Sequence, residues 1–234
     1  MSSVERRYTP LPVEARGDSK TMKIGGYAAV FNRESQNLGG FVERVLPGFF
    51  NDSKSRGWPD VMARYNHDDN MLLGTTGAGT LSLSVDETGL SYDVVPPQSR
   101  ADVYELVARG DVRKSSFAFR TFEDSWSSNE QGYPLRSLVS GQLVDVAPVN
   151  VPAYTDTTAG KRAAFVVAEA ADALRSLAAA MHADEAEVRA LAEADDLRKF
   201  FVRTDNRGPA KPAVMTRGAA ASLLARRLAE QKAF

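Results

Sequence analysis

VRKSSFAFRTF, residues 112–122, is the stretch that decides the fold. Side chains of a β-strand alternate between two faces. Ser115, Phe117, Phe119 and Thr121 therefore share one face, and Ser116, Ala118 and Arg120 share the other. Two phenylalanines at a spacing of two mark the core side. Ser116 then projects from the opposite face. Its neighbour Ala118 is small and leaves room for a substrate. A serine on a solvated strand face needs no functional explanation, so this stretch alone fixes local structure and leaves the chemistry open.

Working outward, the chain up to about Thr158 repeats the same style of short apolar runs between turn signals. Residues 23–31 (KIGGYAAVF) and 41–45 (FVERV) read as strands, the second stopping at Pro47-Gly48. Residues 61–65 form a short strand leading into Asn66-His67-Asp68. Residues 80–85 and 89–95 make a hairpin around Asp86-Glu87-Thr88-Gly89. ADVYELVAR, residues 101–109, has helical spacing and stops at Gly110. Residues 115–126 are a strand, and 135–151 hold one or two more before Pro152. Several short strands with one helix among them predict a β-rich barrel or sandwich.

After Thr158 alanine, leucine and charge dominate, which predicts an α-helical tail and a division into residues 1–158 and 159–234. Leu174, Leu177, Met181, Val188 and Leu191 fall on a partial heptad seam, interrupted by Asp184 and Asp195. The seam suits either self-association or an amphipathic helix packed on its own domain. Residues 203–218 read as a Pro/Gly linker and a candidate autocleavage region, and 219–232 as a last short helix.

Composition excludes several chemistries. The 234 residues carry a net charge of -1, which gives no field for recruiting nucleic acid. Cysteine is absent, so disulfides, thiolate nucleophiles and Cys-based zinc sites are ruled out. With only two histidines, His67 and His182, a multi-histidine metal site is not expected. No cofactor is implied. The N-terminus lacks the apolar stretch of a signal peptide. The most apolar segment, starting at Ala163, is broken by Glu169 and Asp172 and is too short to span a membrane. GxSxG, SxxK and HExxH motifs are missing.

What remains is His67 in RYNHDDN and Ser116. A histidine is the usual general base because its ordinary pKa lies near neutrality. A Ser–His pair works better with a carboxylate that fixes the imidazole tautomer. Asp145, in LVDVAPV, is the preferred third member, because Val144 and Val146 flank it and point the other way. Asp68 and Asp69 are the alternatives.

These pieces occur in a specific order: GYAAVFN, FVERVLPGFF, YNHDDNMLLGT, LSLSVDETGLSYDV, VYELVARGDVRKSSFAFRTF and LVDVAPVNVPAY. From about Gly26 to Thr158 the chain resembles the prohead maturation proteases of tailed phages, which are similar to the herpesvirus assemblin proteases. The resemblance implies a small, nearly closed β-barrel flanked by helices. It implies a catalytic His67 and Ser116. The herpesvirus relatives use a second histidine as third member. Here His182 lies outside the matched region, so a carboxylate must substitute, and the phage enzymes often carry Glu where this chain has Asp145. An oxyanion would be held by backbone N–H groups and an arginine-bound water, with Arg120 or Arg136 as candidates. The role implied is removal of scaffolding segments of the major capsid protein inside the procapsid, in the host cytoplasm, with frequent self-cleavage. The rival is an inactive scaffolding protein that keeps the fold.

Overall fold

The structure is a computed structural model describing residues 3–17, 21–150 and 170–201. Nine strands occur among the described residues: β1 (Glu5–Arg16), β2 (Lys23–Val30), β3 (Val42–Val45), β4 (Met62–Arg64), β5 (Leu72–Thr75), β6 (Leu81–Val85), β7 (Gly89–Val94), β8 (Lys114–Ser128) and β9 (Pro134–Val149). They pair in the order β5-β4-β9-β8-β1-β2-β7-β6, with β3 added parallel to β9. The ends of this path approach each other where β5 turns into β6, and the Thr80 N–H donates to the Thr75 carbonyl there at 3.2 Å. The result is a nearly closed β-barrel. Helices α1 (Asn51–Ser55) and α2 (Ala101–Arg109) belong to it. As expected from Gly110, α2 ends on that residue in a left-handed conformation, φ 82°.

The hairpin expected around residues 86–89 is β6–β7, closed by Asp86 Oδ1 accepting from the backbone of Thr88 and Gly89 at 2.8 and 3.0 Å. Residues 135–151 yield one long strand, β9, instead of two. Two strands were not anticipated. β5 has only four residues, too few for a periodicity. β1 has Pro10 and Pro12 in its middle, and the pairing breaks there. Its first part lies along β8 and its last part along β2, so this one strand joins the two halves of the barrel.

The barrel core gathers Ile24, Phe49, Phe50, Leu90, Phe117, Phe119, Leu143 and Val146. Phe117 and Phe119 do share the core face, stacked with ring centroids 4.9 Å apart. Gly141 lets the Phe49 ring press directly on β9, since a Cβ there would lie 2.3 Å from the ring.

The described part of the tail forms two helices, α3 (Ala171–Met181) and α4 (Glu185–Glu193). His182, at φ 53°, ends the first, and the Asp184 side chain caps the second. The heptad stripe is thus broken into a hairpin. Leu174, Leu177 and Val188 are buried in a second apolar cluster with Phe41, and Trp126 packs against it. The Phe41 and Trp126 rings meet edge to face at 5.1 Å. The stripe considered for self-association is therefore covered within the chain itself. The expected boundary at Thr158, the linker at 203–218 and the last helix at 219–232 lie outside the described residues.

Candidate active site

β1, β8 and β9 run side by side with Tyr8 opposite Ser116 opposite Ala147, and Arg6 opposite Ala118 opposite Asp145. Residues directly across an antiparallel pair share a face. Ser116, Ala118 and Asp145 therefore lie together on the face away from Phe117 and Phe119. Asp145 reaches this face through a bulge. Ala118 pairs with Asp145 but Phe119 pairs with Leu143, which leaves Val144 without a partner on β8. In an unbroken strand Leu143 and Asp145 would point the same way. The extra residue lets Leu143 enter the core while the carboxylate turns outward.

His67 arrives from β4, which lies parallel to β9 with Met62 opposite Asp145. A single 3-10 turn, Tyr65–His67, follows. Asn66 and His67 both have left-handed backbones, φ 54° and 57°. Asparagine and histidine are both among the non-glycine residues found more often in this conformation, but two in succession cost about 1–2 kcal/mol each and need external support. Support comes from the Asn150 N–H donating to Asn66 Oδ1 at 3.1 Å and from the Tyr65–Met71 and Asp68–Tyr65 backbone bonds. This bend carries the imidazole back over β9 and β8.

The outcome is a continuous polar chain. His67 Nδ1 lies 2.5 Å from Asp145 Oδ1, and His67 Nε2 lies 2.6 Å from Ser116 Oγ. An ionised Asp145 only accepts, so the imidazole proton sits on Nδ1 and donates to it, which leaves the Nε2 lone pair facing the Ser116 hydroxyl. The Arg7 carbonyl is a second acceptor for that hydroxyl at 3.0 Å. Ser116 and Asp145 are fully buried, and the His67 side chain is 5% exposed. Burial, then the charges of Arg6 and Arg64, hold the His67 pKa down at about 3, so the imidazole is neutral at pH 7. That is the form a general base requires.

The remaining expected residues fall differently. Ser115 is buried on the core side, 3.0 Å from the Tyr92 hydroxyl. Asp68 caps its own loop by accepting from the Asn70 N–H at 2.8 Å, and Asp69 pairs with Arg64. Arg120 is half-buried opposite Gln142, two residues along the Ser116 face from Ala118. Arg136 is 1% exposed and engaged by Glu5, Glu43 and Asp124. Its place is in a buried ion cluster, which leaves its guanidinium no free edge for an oxyanion.

Two arginines near His67 went unread in the sequence. Arg64 contacts Asp145 directly, and exposed Arg6 projects from β1 on the same face. Arg6 was hidden because β1 itself was hidden. Arg64 needed the β4–β9 pairing, which brings together residues about eighty positions apart. Among the described residues no cluster of three or more His, Asp or Glu is arranged for a metal ion. No helix among them is long and apolar enough to cross a membrane.

No curated protein and no solved structure matches this chain. The family of Caudovirus prohead serine proteases matches residues 9–171, a span that runs from β1 past the end of β9 and contains His67, Ser116 and Asp145, and the chain belongs to that family.

Proposed function

We propose that this chain is the endopeptidase of procapsid maturation, with Ser116 as nucleophile, His67 as general base and Asp145 as the group that orients His67. The observation that carries this reading is the polar chain from Asp145 through His67 to Ser116, assembled from β9, the turn after β4, and β8. In the first step neutral His67 takes the Ser116 proton at Nε2 while Oγ attacks the scissile carbonyl carbon. The imidazolium so formed lies against the Asp145 carboxylate, which offsets its charge. His67 then returns the proton to the leaving amine. Water, deprotonated by the same nitrogen, releases the acyl group from Ser116 and restores the enzyme. The substrates are scaffolding segments of the major capsid protein, cut inside the assembling procapsid in the host cytoplasm, and segments of the chain itself.

Coexpression with the phage's own major capsid protein tests this reading. The unmodified chain should shorten the capsid protein, and Ser116→Ala should leave it full length. Equal shortening by both would remove Ser116 from the mechanism. A full-length capsid protein in both cases would favour the inactive scaffold.

A further inference from the structure

A buried carboxylate is costly unless both oxygens are engaged. Asp145 Oδ1 accepts from the His67 Nδ1–H, and Asp145 Oδ2 accepts from Arg64 Nη2. The other arm of the same guanidinium, Nη1, meets Asp69 Oδ1 in the loop just after His67. Arg64 is therefore a clasp that fastens the histidine loop to β9. Its side chain is only 10% exposed, and both arms of its guanidinium are taken by carboxylates of the protein. Its Nε is buried with no hydrogen-bond partner among the described residues.

We infer that Arg64 is a positioning residue: it fixes the Asp145 carboxylate in the orientation that accepts the His67 Nδ1–H hydrogen bond, and so aims Nε2 at Ser116. This rests on the roles proposed above for Ser116, His67 and Asp145. The charged groups facing His67 are Asp145 on β9, Arg64 on β4, Arg6 on β1, and Asp68 and Asp69 on its own loop. Arg6 and Arg64 both press the imidazole toward its neutral form, and Asp145 acts in the opposite sense. Removing Arg64 leaves the Asp145 charge uncompensated. A base that loses a neighbouring cation holds its proton more tightly, so the His67 midpoint must move up.

The chain has only two histidines, so a sample labelled with 15N in its imidazoles gives two ring signal sets, and His182→Asn assigns them. Long-range proton–nitrogen correlation across a pH titration then reads tautomer and midpoint together. His67 should show the Nδ1–H tautomer and a midpoint below 6.5 in the unmodified chain. Arg64→Met should raise that midpoint by about one pH unit or more. Arg64→Lys should keep it low. A single amine cannot bridge Asp145 and Asp69, so this variant should react with a fluorophosphonate about tenfold more slowly. Should Arg64→Met fail to fold, Arg64→Gln retains an N–H donor without the charge and carries the same expected rise. An unmoved midpoint in either folded variant overturns the inference, and is what a purely structural arginine would give, with only the melting temperature lowered. An unmodified chain whose neutral His67 carries its proton on Nε2, or shows mixed tautomers, would instead overturn the triad itself.

Discussion

The two faces of β1, β8 and β9 carry two polar networks with opposite character. On the outer face stand Ser116, His67 and Asp145, with Arg64 behind them. On the inner face Glu5, Arg7, Glu43, Arg136 and Asp124 form a buried ion cluster. Neighbouring residues are assigned to different networks by alternation alone: Arg6 outward and Arg7 inward, Ser116 outward and Phe117 inward. In the inner cluster burial would push Glu5 up, but Arg7 and Arg136 outweigh it and hold it at about 2. Burial likewise opposes the charge of Arg136, and Glu43 and Glu5 outweigh it and raise its pKa. The outer network instead places an imidazole, neutral at pH 7, between a hydroxyl donor and a carboxylate. Saturated ion pairing builds a support, and an imidazole left neutral between two partners builds a site.

Breaking the outer network should abolish chemistry and spare the fold. Ser116→Ala and His67→Ala should each lower cleavage of the coexpressed capsid protein by about four to six orders of magnitude, with circular dichroism unchanged. Asp145→Asn should cost about three to four orders, because the amide imposes the wrong tautomer on His67. A loss below tenfold would make Asp145 structural and shift attention to Asp68 and Asp69. The inner network should respond in the opposite way. Arg136→Met removes the ion-pair partner of Asp124 and leaves Glu5 and Glu43 to share Arg7, and should cost about 3–5 kcal/mol in urea unfolding, while the protein that remains folded keeps its specific activity. If activity per folded molecule drops with it, the two faces are coupled and the contrast drawn here fails. Ser115→Ala should have the smallest effect. It leaves the Tyr92 hydroxyl unpartnered, a loss of about 1–3 kcal/mol in stability, with cleavage retained.

The sequence was most informative where local rules operate. Alternation through residues 115–121 sorted Ser115, Phe117 and Phe119 inward and Ser116 outward. Turn residues located the β6–β7 hairpin, and Gly110 ended α2. Sequence reading failed where the structure departs from a regular period or depends on distant pairing. Prolines concealed β1, and with it Arg6 and two of the five residues of the ion cluster, Glu5 and Arg7. The Val144 bulge is invisible in LVDVAPV, yet it is what turns Asp145 toward His67 without moving Leu143 from the core. Arg136, an isolated arginine in a strand, gave no hint of its three acidic neighbours, which come from β1, β3 and β8. The heptad stripe in the tail was real as a pattern of burial, but periodicity carried no sign that His182 would end the first helix.

Locating a covalent adduct tests the central claim most directly. The unmodified full-length chain and the Ser115→Ala and His67→Ala variants are treated with a fluorophosphonate, and the modified peptide is sequenced by mass spectrometry. The account predicts the phosphonyl group on Ser116 in the unmodified chain and in Ser115→Ala, and essentially none in His67→Ala. An adduct on Ser115 or on any other serine, or equal labelling of Ser116 without His67, would contradict it.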